Sequence, residues 1–132
     1  MGEGPLVTEQ ITAGAELARA FDAYAPLRAA FWVRPQSTGQ WLLYLVSDRI
    51  DDSNFDLAYG EVIRLLDAKP QVWLDLHQVR VAGVDFPVAK GALALRAKYP
   101  RPGPLRLQDR SLGGGVFAEE LYIYDLPQPA VA

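Results

Sequence analysis

Two adjacent carboxylates, Glu119 and Glu120, stand inside a strand-like run from Val116 to Tyr124 that follows three glycines, Gly113-Gly114-Gly115. Serial glycines can wrap a phosphate, but only where a helix N-terminus follows and aims its amides and dipole at the anion. An aromatic and β-branched segment follows here, so the glycines read as a hairpin turn. Strict alternation from Phe117 through Leu121 and Ile123 puts Glu119 on the apolar face. A carboxylate in that position must be paired, protonated or part of a site, because an unpaired buried charge is very costly. Two structural alternatives stand beside that reading. A bulge at Glu119-Glu120 would turn both outward, or Glu119 would pair with Arg106 or Arg110 across the hairpin.

His77, the single histidine, lies two residues from Asp75, a spacing at which a carboxylate could orient an imidazole base. Ser47 or Ser111 would have to supply a nucleophile, and no nucleophile-elbow pattern is present. A hydrogen-bonded structural histidine is the simpler reading, so no catalytic residue is assigned. Asp48, Asp51, Asp52 and Asp56 could offer oxygen ligands to a hard cation, but their spacing is not that of an EF-hand loop. Aspartates near a helix start cap amides and complement the dipole, which is the preferred reading. The chain has no cysteine, which removes disulfides, thiolate nucleophiles and thiolate metal sites together. No metal and no cofactor is expected.

Charge is unevenly spread along the chain. Residues 1–79 carry six basic and eleven acidic side chains, residues 80–110 seven and two, and residues 111–132 three acidic ones. The basic stretch includes Arg96, Lys98, Arg101, Arg106 and Arg110, with Tyr99 among them, and could contact phosphates. The acidic remainder, at a pI of about 5.1, repels a polyanion, so a nucleic acid is disfavoured. Trp32 lies opposite the strand face that carries Phe31, between Arg28 and Arg34. Aromatic residues beside arginine are enriched at binding hot spots, and Trp32 with Arg34 therefore reads as exposed or covered by a second subunit.

The elements that must position these groups follow from periodicity. Residues 8–24 have a helical apolar stripe ending at Pro26. Strands over 27–34 and 41–48 flank a Pro- and Gly-bounded link and read as a hairpin, the second apolar on both faces. A helix over 55–68 follows, entered through Ser53 with Asp56 as a weak capping box. The next strand slips its alternation near His77-Gln78, which implies either a bulge or two short strands. Asp85 reads as an N-cap for a third helix lined by Val88, Ala92, Leu95 and Tyr99, with Pro87 in its first turn. Strands over 105–109 and 116–124 close the order α-β-β-α-β-α-β-β. This is a single α+β domain over residues 1–132, a mixed sheet of about five strands with three helices packed on it. Residues 1–7 and 126–132 read as loose ends.

Ala30-Phe31-Trp32, Gln40-Trp41-Leu42-Leu43-Tyr44-Leu45-Val46-Ser47, Ala58-Tyr59 and the Val116–Tyr124 segment resemble an uncharacterised group of small bacterial α+β proteins. That group shares a tryptophan-rich hairpin and an acidic segment before a Tyr-Ile-Tyr ending. The resemblance implies a bacterial accessory protein and brings no activity or functional residues with it.

No apolar run approaches the roughly 18 residues a bilayer span requires. The start, Met1-Gly2-Glu3-Gly4-Pro5, is neither basic nor apolar, and Leu6 breaks the myristoylation pattern. The expectation is a cytoplasmic, non-enzymatic interaction or accessory module that binds a protein partner or itself as a homodimer. Its alternatives are a phosphate or nucleic-acid binder through Arg96–Arg110 and a small enzyme centred on Glu119.

Overall fold

Both faces of the central strands are apolar, so the sheet must be covered on both sides. In the computed structural model, which describes residues 4–100 and 102–126, it is. The elements are α1 (Thr8–Asp22), β1 (Ala29–Pro35), β2 (Leu42–Val46), α2 (Phe55–Ala68), a 3-10 turn (Leu76–Gln78), β3 (Val79–Ala82), α3 (Pro87–Lys98), β4 (Leu105–Gly113) and β5 (Val116–Ile123). The strand order is β3-β2-β1-β5-β4. Only β2 and β3 run parallel; the β1–β2, β1–β5 and β4–β5 pairs are antiparallel. The expected α+β architecture and element order are those observed. No helix among the described residues is long and apolar enough to cross a membrane.

The period-two alternation of β1 and β2 splits the interior into two clusters. Ala30, Trp32, Leu43 and Leu45 face α1 and α2, joined by Leu17, Phe21 and Val62 from the helices. Phe31, Val33, Val46, Leu121 and Ile123 face α3, which contributes Val88, Ala89 and Ala92. Two helices on one side and one on the other make a three-layer arrangement. Both sides of β1 are thus buried, and Trp32 is 0% exposed. The expectation of an exposed Trp32 is corrected. The residue opposite Phe31 does not face solvent, because α1 covers it.

Three local expectations also change. No bulge and no second strand lies at His77-Gln78. The 3-10 turn absorbs the slipped alternation, and β3 starts cleanly at Val79. Phe86, not Asp85, occupies the N-cap of α3, with Pro87 following it. Asn54, not Ser53, precedes α2, while Ser53 hydrogen-bonds Asp51. Residues 4–7 are not loose: Leu6 is buried, and the Gly4 carbonyl accepts a hydrogen bond from Trp41 Nε1 at 2.8 Å. The glycine turn is a hairpin turn as expected, with Gly114 and Gly115 at φ 60° and 78°, a conformation in which a side chain is strained.

Candidate functional site

The acidic pair on β5 is reshaped by a bulge. Arg34 pairs in register with Glu120 but Pro35 pairs with Ala118, so Glu119 is an extra residue relative to β1. Across the other ladder, Asp109 adopts a left-handed φ of 54°. Ala118, fully buried, takes the place in the apolar layer. Glu119 is carried outward and is 39% exposed at its side chain. Arg34 gathers both carboxylates, with Nε 3.4 Å from Glu119 and Nη1 3.4 Å from Glu120. The same guanidinium donates to the Gly4 carbonyl at 3.2 Å and lies over the Trp41 ring at 5.5 Å. The expected bulge is observed, but it turns only Glu119 outward, Glu120 staying 16% exposed at its side chain, and the partner is Arg34 rather than Arg106 or Arg110. The depression these groups share with Pro5, Gln108 and Asp109 is shallow, about 410 Å³, and brings no nucleophile to the carboxylates.

Arg34 therefore reads as a structural clamp. Arg34→Met is expected to cost about 1–2 kcal/mol, since Glu120, 16% exposed at its side chain, loses its partner. Adding Glu120→Gln should recover part of that loss in a urea-denaturation cycle. An Arg34→Met protein as stable as wild type would refute the clamp.

Among the described residues of the basic stretch, Arg106 and Arg110 lie on opposite faces of the sheet. Arg106 stands opposite Tyr122 in register, with its guanidinium 5.9 Å from that ring and within 3.4 Å of the Leu6 carbonyl, on the α1 side. Arg110 stands opposite Ala118, on the α3 side. Arg96, on α3, pairs with Asp125 at 3.5 Å. Arg101 lies outside the described residues. His77 is exposed, and Asp75 accepts from its backbone amide rather than its ring. Among the described residues no group of three or more acidic or histidine side chains is placed to hold a metal ion.

A larger cavity lies elsewhere, at the carboxyl ends of β2 and β3. From these two neighbouring parallel strands the chain departs to opposite faces of the sheet, to α2 on the α1 side and to α3 on the other. Two loops that diverge leave a crevice between them, the position where open α/β sheets hold ligands. Its volume is about 790 Å³, within the range of small-molecule sites. Tyr44, Phe55, Tyr59 and Phe86 give it aromatic walls, Arg80 and four aspartates (48, 51, 52 and 85) its charge. Phe55 and Phe86 remain 43% and 48% exposed, and Tyr44 stacks on Phe31 at 5.0 Å and faces Phe86 at 6.5 Å.

Hydrogen bonds fix the crevice's two loops. Ser47, a fully buried polar residue, donates its amide to the Ala82 carbonyl, extending the β2–β3 ladder. Asn54 bridges back to the Arg49 carbonyl and the Asp51 amide. The Ser53 hydroxyl, and with it the Ser53 amide, holds the Asp51 carboxyl below its ordinary pKa. Burial pushes the Tyr44 hydroxyl up, partly offset by Arg80. Gly83 allows the loops to meet, since a Cβ there would overlap the Ile50 carbonyl oxygen. Sequence reading places Asp48, Asp51 and Asp52 at a helix entry but misses Tyr44, Arg80 and Phe86. The available signal was the β-α-β pattern of residues 42–82 followed by Gly83 and a second helix, which marks a point of divergence. No family model matches the chain, and no curated protein or solved structure matches it.

Proposed function

We propose that the protein is a non-enzymatic binding module, an accessory to other proteins, whose ligand occupies the crevice at the ends of β2 and β3. The observation that carries this reading is the coincidence of a cavity of about 790 Å³ with the divergence of α2 and α3, walled by two half-exposed phenylalanines. Exposed aromatic surface in a concave site is a cost to an isolated domain and an asset to a binding one. The chemistry around it suits holding rather than transforming: the Asp51 carboxylate at its rim is engaged by Ser53 and that of Asp48 by Arg28, and His77 does not line it. Self-association through Trp32 loses its basis once that side chain is covered by α1. An extended phosphate-binding face loses its basis with Arg106 and Arg110 on opposite sides of the sheet. An accessory role agrees with the resemblance to small bacterial proteins drawn from the Trp32 and Trp41 hairpin.

Titrating 15N-labelled protein with indole and with benzamide tests the location. Amide shifts should concentrate at residues 44–59 and 80–87. Shifts centred on Arg34 and Glu119, or spread evenly over the surface, would overturn the assignment.

A further inference from the structure

The side chains around the crevice combine solvent-facing aromatic rings with an excess of negative charge. Each of the two diverging loops brings one half-exposed phenylalanine, Phe55 at the start of α2 and Phe86 at the N-cap of α3. A tyrosine stands beside each. Phe55 meets Tyr59 edge to face at 4.9 Å, and Phe86 lies 6.5 Å from Tyr44. The face of an aromatic ring is the negative end of its quadrupole, so such rings in a concave site attract a cation and repel an anion.

The charged groups agree in sign once they are counted. Asp48 is paired with Arg28 at 3.5 Å. Asp51 is engaged by the neutral Ser53 hydroxyl and keeps its charge. The carboxylates of Asp52 and Asp85 are exposed and make no ion pair or hydrogen bond with any described residue. On the positive side stands Arg80, whose guanidinium donates to the His77 and Val79 carbonyls at 2.7 Å and 3.0 Å. The N-termini of α2 and α3 also border the crevice. By themselves those helix ends favour an anion, but each is equivalent to only about half a positive charge. Asp51, Asp52 and Asp85 therefore outweigh Arg80 and both helix ends by about one charge.

We propose, resting on the crevice as the binding site, that its ligand is a small organic cation, an ammonium group of single charge on an apolar body. The ammonium group sits against the faces of Phe55 and Phe86, with Asp52 and Asp85 at the rim balancing its charge. A volume of about 790 Å³ suits a compound of this size. Quaternary and protonated primary ammonium compounds share the required chemistry, so both sources belong in the test.

The experiment titrates wild-type protein at low salt with choline and with phenethylamine. Each is set against a neutral compound of matching shape, 3,3-dimethyl-1-butanol and 2-phenylethanol, and 3-phenylpropionate supplies the anion. Amide shifts of 15N-labelled protein locate the binding, and calorimetry measures it. At least one cation should bind with a Kd of about 1 mM or tighter, at least about tenfold more tightly than its neutral partner. Its shifts should fall at residues 44–59 and 80–87, and added salt should weaken it alone. Choline binding alone would assign the quaternary source, and phenethylamine alone the protonated amine. Asp52→Asn/Asp85→Asn should weaken the cation at least about fivefold while the neutral partner, which controls for the fold, binds as before. Equal binding of each cation and its neutral partner overturns the proposal. So does 3-phenylpropionate binding more tightly than phenethylamine, or cation shifts centred on Glu119 and Glu120. Occupation of the crevice by indole or benzamide with neither cation binding also overturns it, and in that case the site itself still stands. Absence of all binding in the crevice removes the site and the proposal together.

Discussion

Gly91→Ala is expected to destabilise the protein by about 3 kcal/mol or more, although alanine is the better helix former by up to about 1 kcal/mol. Gly91 lies in α3 where that helix crosses β4. A Cβ there would overlap the Leu112 carbonyl oxygen and stand 2.6 Å and 2.8 Å from its carbonyl carbon and Cα. All three atoms are backbone of a paired strand, so no side-chain rotation relieves the overlap. Either α3 lifts from the sheet, thinning the cluster of Val88, Ala89 and Ala92 on Phe31 and Leu121, or β4 shifts against β5. Overpacking with no soft neighbour falls at or above the upper end of its usual cost. Against a total stability of about 5–15 kcal/mol, a fall in melting temperature of roughly 10 °C follows. Gly60→Ala is the matched comparison. Gly60 sits inside α2, and a methyl added there would meet nothing within 4 Å, so alanine should stabilise by about 0.5–1 kcal/mol. Differential scanning calorimetry on the two variants reads opposite signs. A stabilised Gly91→Ala protein would mean that α3 does not approach β4 this closely.

Gly14→Ala is expected to cost about 2–4 kcal/mol, through a different contact. Trp32 Nε1 donates to the Tyr124 hydroxyl at 2.8 Å, and that hydroxyl donates to the Ile11 carbonyl of α1 at 2.6 Å. Gly14, one turn along α1, lets the helix settle on this pair: a Cβ would overlap the Tyr124 oxygen and stand 2.8 Å from Trp32 Nε1. Tyr124→Phe alone should cost about 1–3 kcal/mol, because the buried indole N–H loses its acceptor. The double variant should be less destabilised than the sum by at least about 1 kcal/mol, since removing the hydroxyl also removes part of the clash. Strict additivity in urea denaturation would show that Gly14 and Tyr124 do not meet. The pH dependence carries the same signature. Burial, first among the causes, raises the Tyr124 pKa well above its ordinary value. The native state thus keeps a proton that the unfolded chain releases near pH ~10. The stabilisation is fully present below that pH and is lost as pH rises through it and toward the native value. Tyr124→Phe should flatten this alkaline decline.

Much of the fold was legible because it depends on local rules. The helical stripes of residues 8–24 and 55–68, the alternation of Phe31 and Val33 against Ala30 and Trp32, and the glycine turn at 113–115 are written in neighbours three, four or two residues apart. These periodicities supply the element order. What covers each face is a different matter. Trp32 looks exposed in sequence because Arg28 and Arg34 flank it, yet α1 lies on it through Gly14, a contact between segments far apart in the chain. Glu119 illustrates the same limit at a single residue. A bulge was one of several outcomes open to it, and only the pairing of Arg34 with Glu120 and of Pro35 with Ala118 selects it.

The crevice shows where sequence reading stops. Its aspartates are visible as a helix entry, but Tyr44, Arg80 and Phe86 belong to a strand, another strand and a loop, and nothing in their spacing joins them. They meet because β2 and β3 lie side by side in parallel and their exits turn to opposite faces. By itself the sequence determined the elements, their order, the absence of thiol chemistry and the two-sided character of the sheet. Tertiary structure decided which strand neighbours which, that Arg34 holds the acidic pair, and that a cavity opens where two chains of local structure part. The physical reason is range. Periodicity and capping act over one or two turns, whereas burial, ion pairing and the shape of a cavity are set by surfaces that only packing brings together.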